Sequence, residues 1–136
     1  MSSTELTLSI IKPDAVERNL IKDIKSIFTE NKLIIKKDKK IHINKEEAAE
    51  FYKVHQSKPF YDDLCNYLSS GPIIVMILEG SNAVLENRRI MGATNPKDAQ
   101  PNTIRKLFGI SIDKNSVHGS DSIENARKEI SFFFKN

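Results

Sequence analysis

The sequence predicts a single α/β domain, and three observations predict it. Apolar runs of strand length recur at residues 6–11, 33–43 and 73–78, bounded by turn-forming residues. The segments between them repeat their apolar residues at helical spacing. The chain of 136 residues, 39% hydrophobic and 29% charged, is long enough for one substantial core and has the composition of a globular protein. No internal repeat or low-complexity linker divides it, so residues 1–136 are read as one domain. The order strand, helix, strand, helices, strand, helix is compatible with a split βαβ plan, while pattern alone leaves the strand order open.

Residues 6–11 alternate and then run apolar, as an inner strand does. Lys12-Pro13-Asp14 ends this strand, because proline lacks an amide donor and restricts the residue before it. Leu20, Ile21, Ile24, Ile27 and Phe28 then mark a helix. Residues 33–43 read as a second strand, with Ile41-His42-Ile43 alternating. Asn44 is placed to cap a helix running through Val54, whose apolar side is Ala48, Ala49, Phe51 and Tyr52. Pro59 precedes a helix reaching Leu68. Gly71-Pro72 introduces residues 73–78, the best candidate for a central strand. Asn82 can cap the next helix, which contains Ala83, Val84, Leu85 and Ile90. Residues 92–118 form a long connection with Pro96, Pro101 and Gly109, and connections of that length in a compact domain are usually functional or mobile. The last helix has Ile123, Ala126 and Ile130 on one stripe.

A net charge of +3, from 21 basic and 18 acidic residues, permits anionic substrates without calling for nucleic acid. The densest basic patch, Lys36-Lys37-Asp38-Lys39-Lys40, reads as a solvated strand end or turn. An RNA-binding module is the rival it suggests, but the aromatic signature of such a sheet is missing. Cys65 is the single cysteine, which excludes an intrachain disulfide and argues against a cysteine-based metal site. At helical spacing with Tyr61, Leu64 and Leu68, it reads as a packed thiol. The N-terminal residues lack the basic start and apolar core of a signal peptide, and residues 73–78 are too short to cross a membrane. A cytoplasmic protein without membrane partners is expected.

The most informative stretch is Asn115-Ser116-Val117-His118-Gly119-Ser120-Asp121-Ser122. Gly119 permits close approach to the imidazole, and Ser120, Asp121 and Ser122 are N-cap types, with Asp121 and Glu124 spaced as a capping box. A helix N-terminus favours an anion such as phosphate, and a neutral imidazole is a nucleophile near pH 7. A loop histidine before an ordinary capped helix is the alternative. His42, between two isoleucines, is expected to point away from the core, and His55 to cap a helix end or border the site. No Walker A sequence, dinucleotide fingerprint or cluster with metal-ligand spacing occurs, so a nucleotide enzyme built on this chain would hold phosphates largely with side chains.

The stretch Asn115 to Ser122 resembles the active-site motif of the nucleoside diphosphate kinase family. The resemblance includes Ser9-Ile10-Ile11-Lys12-Pro13-Asp14-Ala15-Val16, Lys58-Pro59-Phe60, Ser70-Gly71-Pro72, Met91-Gly92-Ala93-Thr94-Asn95-Pro96 and Thr103-Ile104-Arg105. These motifs follow the family's order over nearly the whole chain. The resemblance implies a ferredoxin-like fold with a four-stranded antiparallel sheet flanked by helices, its fourth strand lying close before His118. It implies transfer of the γ-phosphate of a nucleoside triphosphate, usually ATP, to a nucleoside diphosphate. The route implied is ping-pong, through a phosphohistidine at His118.

By the same resemblance, Lys12, Tyr52, Arg88, Thr94, Arg105 and Asn115 surround the phosphates and sugar. Lys12 also balances charge on the transferred group, and the forked guanidinium groups suit phosphate oxygens. Tyr52 has a rival reading as an apolar contact on its helix. Phe60 stacks on the base with Ile112 on the other side, an arrangement that accepts any base. Glu129, with Ser120 beside it, orients His118. Glu129 lies roughly 10 Å along the helix from Ser122, so contact requires the chain before the helix to fold back; a solvated Glu129 is the alternative. Mg²⁺ arrives with the triphosphate, held mostly by phosphates and water, and Asp121 is read as a helix cap that can also meet that water shell.

Two departures from the family pattern stand out. Asn102 replaces a glycine often found before Thr-Ile-Arg, and Lys106-Leu107 replaces a Gly-Asp pair often found after it. The chain ends soon after Phe132-Phe133-Phe134, short of the tail that many relatives carry to a neighbouring subunit. A homo-oligomer is expected, with tetramer and hexamer both open. The functional alternative is a non-catalytic, nucleotide-binding regulatory module of the same fold.

Overall fold

A computed structural model describes residues 4–112 and 114–134. Strand β1 (Thr4–Ile11) ends where Lys12 stays extended before proline. Pro13 does more than stop the strand. With its φ pre-set for a first helical position, it opens a short helix, α1 (Pro13–Glu17), separate from α2 (Ile21–Glu30). Strand β2 (Ile34–Ile41) is shorter than residues 33–43 and carries a register shift between Ile35 and Lys37. Asn44 caps α3 (Lys45–Phe51) through a reciprocal capping box with Glu47. That helix stops before Val54, and Lys53–His55 form a single 3-10 turn. Helix α4 (Tyr61–Leu68) then leads to β3 (Ile73–Ser81).

Helix α5 (Ala83–Met91) corrects one expectation. Asn82 sits in the left-handed region at φ 52° and makes no side-chain cap; the Glu5 carboxylate, from β1, accepts the Val84 amide at 3.0 Å instead. Helix α6 (Ile104–Phe108) is capped by Thr103. Strand β4 (Val117–Gly119) contains His118 rather than preceding it. Helix α7 (Ile123–Phe133) is capped by Ser122, not by an Asp121–Glu124 box, because the Ser122 hydroxyl accepts the Asn125 amide at 3.1 Å. Ile123 is 50% exposed and leaves the predicted stripe, while Ala126 and Phe133 are buried.

All strand pairs are antiparallel, in the order β2-β3-β1-β4. Residues 73–78 are central as expected, and β1 and β3 are buried on both faces. Because strand side chains alternate, Leu8, Ile10, Ile73 and Val75 enter one core with Ala48, Tyr52, Leu68 and Phe133. Ile11, Met76 and Leu78 enter the other with Ile24, Phe28, Ile90 and Ile104. Cys65 is buried and free, as the packed-thiol reading requires. The basic patch lies within β2, at an edge of the sheet with its lysines exposed, which discourages unwanted strand pairing. Among the described residues no helix is long and apolar enough to cross a membrane.

Candidate active site

His118 stands at the middle of edge strand β4, opposite Ile10 of β1. Two features bring α7 back over it. The Ser120 amide bonds the Leu8 carbonyl at 3.2 Å, holding the chain to β1 beyond the end of β4, and α7 then packs along β1. Glu129 therefore lies over the histidine rather than in solvent. Its Oε1 is 3.0 Å from His118 Nε2 and accepts the Ser120 hydroxyl at 2.7 Å. Phe51 meets the imidazole edge to face, with ring centroids 5.1 Å apart and planes at 73°. The His118 side chain is 21% exposed, and Nδ1 has no hydrogen-bond partner among the described residues. Gly119 is required here: a Cβ would lie 2.3 Å from Asn87 Nδ2 and 2.8 Å from Met91 Cε, so α5 could not approach β4.

A second group forms where β1 ends. Lys12, itself buried, donates from Nζ to Asn115 Oδ1 at 2.9 Å, and Asn115 Nδ2 donates to the Thr94 carbonyl at 3.0 Å. The Thr94 side chain is exposed. Arg105 is buried and donates to the carbonyls of Gly92 at 3.0 Å and Val117 at 2.9 Å, while its Nε has no partner among the described residues. Gly92 serves this contact at φ 88°, where a Cβ would also strike the Thr103 hydroxyl at 2.5 Å. Burial, aided by Arg88, pushes the Arg105 guanidinium down to about 10, which leaves it charged at neutral pH. Arg88 is exposed, and its charge acts on both Arg105 and Asp121.

Tyr52 belongs to the core by burial, and its phenol is an electrostatic neighbour of Glu129 and Arg105. Burial is the main cause that raises its pKa. Asp121 accepts the Asn125 side-chain amide at 2.6 Å, which holds its carboxyl below the usual range, and it does not cap the helix backbone. Phe60 and Ile112 are 43% and 54% exposed, open to an incoming ring. His55 borders the site, its ring 6.1 Å from Tyr52 and 6.2 Å from Phe60. Burial lowers its pKa first, followed by the charges of Lys58 and His118. His42 lies outside the site, exposed and bonded to the Ser69 carbonyl at 2.9 Å.

Sequence reasoning missed a buried network below these residues. The Asp14 carboxylate accepts Ser116 Oγ at 2.9 Å, Arg18 Nη2 at 3.0 Å and the Tyr67 hydroxyl. Burial raises the Tyr67 phenol further than its bond to Asp14 does. Ser116 has φ 74°, which a serine does not advertise in sequence. Asn102, at φ 68°, keeps a left-handed position that asparagine tolerates, so its replacement of glycine is accommodated. Among the described residues no group of three His, Cys, Asp or Glu side chains converges in a metal-ligating arrangement.

Residues 5–136 match the family model for nucleoside diphosphate kinase. A nucleoside diphosphate kinase of Nitratiruptor sp. is 58% identical over 130 residues, covering 96% of this chain and 95% of that protein. One from Campylobacter lari is 57% identical with the same coverage of each. Among solved structures, the nucleoside diphosphate kinase of Aquifex aeolicus superposes with a TM-score of 0.96 at 40% identity, covering 98% of this chain and 97% of that one. That of Encephalitozoon cuniculi gives 0.94 at 37% identity, covering 97% and 90%.

Proposed function

The chain belongs to the nucleoside diphosphate kinase family, an enzyme family that moves phosphate between nucleotides, and from that premise we propose that His118 carries the phosphoryl group. The observation that carries this reading is the 3.0 Å contact from Glu129 Oε1 to His118 Nε2. A carboxylate accepts only, so Nε2 holds the ring proton and Nδ1 keeps the lone pair. Nδ1 attacks the γ-phosphorus of a nucleoside triphosphate. The N–P bond forms as the β,γ-bridging P–O bond breaks, and the diphosphate leaves with that oxygen. Glu129, held by Ser120, balances the positive charge that develops on the imidazole. A second diphosphate enters the same site, its terminal β-oxygen attacks the phosphorus, and the P–N bond breaks. The reaction is ping-pong.

Arg105 and Arg88 supply positive charge to the phosphates, with Tyr52 and the Thr94 hydroxyl as further donors. Lys12, oriented by Asn115, balances charge on the moving group, and both reach the sugar hydroxyls. Phe60 and Ile112 take the base between them, an arrangement that suits any base because every base has a π-face. Bound Mg²⁺ would neutralise the triphosphate and help orient it. Asp121 is the exposed carboxylate that suits its water shell. We take residues 1–136 as one catalytic domain acting in the cytoplasm as a homo-oligomer, tetramer or hexamer, on nucleoside triphosphates and diphosphates rather than on nucleic acid or membranes.

Incubation with Mg²⁺ and γ-labelled ATP tests the reading. Acid-labile label is expected on His118 and should discharge onto added GDP. His118→Ala should abolish labelling and turnover without unfolding the protein. A folded His118→Ala that still exchanges phosphate rejects the assignment.

A further inference from the structure

The Asp14–Arg18 pair spans more than the helix turn that separates the two residues. Arg18 Nη2 donates to the Phe108 carbonyl at 2.6 Å and to Asp14 Oδ2 at 3.0 Å, and lies 3.3 Å from Ser116 Oγ. Arg18 Nε adds a bond to the Asp14 carbonyl at 3.1 Å. Phe108 ends α6, and Ser116 immediately precedes β4. One ion pair therefore grips both feet of residues 109–115.

Each foot needs holding. Ser116 is fully buried at φ 74°, a conformation disfavoured for a non-glycine residue. Its hydroxyl bonds Asp14 at 2.9 Å and its carbonyl accepts the Lys12 amide at 2.8 Å, which over-determine that conformation. Between the feet, Ile110 and Ile112 are 58% and 54% exposed. The amides of Ile110 and Ser111 bond the Lys114 carbonyl, and the Lys114 amide bonds Ser111 Oγ. Among the described residues these bonds shape a local turn, and none of them ties it to the body of the protein. The Asp14 side chain is 4% exposed, and a buried carboxylate retained in such a place needs its partners.

We propose that Asp14 and Arg18 form a positioning clamp that fixes both ends of residues 109–115 and thereby sets nucleotide affinity. The proposal rests on the reading that Ile112 meets the base and His118 accepts the phosphoryl group. A guanidinium suits the role because its planar fork serves several acceptors at once, whereas an ammonium is a point charge.

The test compares wild type with Arg18→Gln, measuring kcat, KM for GDP at saturating ATP, and amide hydrogen exchange. Arg18→Gln is expected to raise KM about tenfold, equivalent to about 1.4 kcal/mol, with kcat within about twofold. Exchange at the bonded amides of Ile110, Ser111 and Lys114 should accelerate while Leu8 and Val75 stay protected. Unchanged KM and local exchange overturn the clamp. So does exchange that accelerates throughout β1 and β3 with kcat falling as far as KM rises, since that marks general destabilisation. Arg18→Lys answers the case in which the glutamine variant does not fold. It keeps a charge beside Asp14 but cannot also hold Phe108, so the same rise in KM and local exchange is expected, and wild-type behaviour overturns the clamp. Labelling of wild type by ATP runs alongside: an unlabelled His118 removes the reading of the site, while the exchange comparison still decides the clamp.

Discussion

At the scale of single residues, the arrangement around His118 turns on which ring nitrogen is occupied. Glu129 takes Nε2, and Ser120 bonds the same Oε1, so the carboxylate is held in place and Nδ1 is the nitrogen left for the proposed attack. Glu129→Gln keeps the shape and removes the charge. A hydrogen bond to a charged group contributes about 1.5–3 kcal/mol. The substitution should therefore lower kcat about ten- to a hundredfold, with KM for the diphosphate little changed, because the charge develops on the imidazole in the transition state. Steady-state kinetics at saturating ATP checks this, and an equal rise in KM with unchanged kcat would assign Glu129 to nucleotide binding instead. That His118 was a nucleophile candidate was legible from its small, polar neighbours. The contact with Glu129 was not, because no periodicity tells how a chain folds back between a strand and a helix.

At the scale of elements, local chemistry was legible where one segment settles its own ends. Asn44 and Glu47 form their capping box within four residues of sequence, and β3 follows from its run of branched apolar residues. The misses occurred where a distant partner decides. Glu5 supplies the acceptor at the start of α5 that Asn82 does not, across 79 residues of sequence. Strand β4 is only three residues long and is defined by pairing with β1, so its pattern is too weak to read alone. The start of α7 shows a finer competition, in which Ser122 takes the amide of Asn125 and Asp121 its side chain. Ser122→Ala should therefore cost about 1 kcal/mol of stability, the usual contribution of an N-cap. Urea denaturation measures it. Glu129 sits two turns further on, so kcat should stay within about twofold; a collapse of kcat at unchanged stability would make the cap part of the alignment of His118.

At the scale of the whole molecule, the sheet separates two cores, and the site lies at one edge of the sheet, against the core that contains Tyr52 and Phe133. Phe51 contacts His118, Tyr52, Phe132 and Phe133, so the His118 ring is continuous with that core. His55 extends the same surface, and this couples global stability to pH. Its Nδ1 is buried without a partner among the described residues, and burial lowers its pKa from 6.5, helped by Lys58 and His118 and opposed by Asp121. Well above pH 6.5 His55 is neutral both folded and unfolded, and contributes no slope. As pH falls through 6.5 the unfolded chain takes up a proton that the folded chain resists, so stability declines until the folded pKa is passed. His55→Gln removes this proton uptake while leaving Lys58, His118 and Asp121 in place. The loss of unfolding free energy between pH 7.5 and 5.5 should be smaller in the variant than in wild type, measured by urea denaturation at each pH. Equal losses in the two proteins would show that folding does not disfavour the charged form of His55.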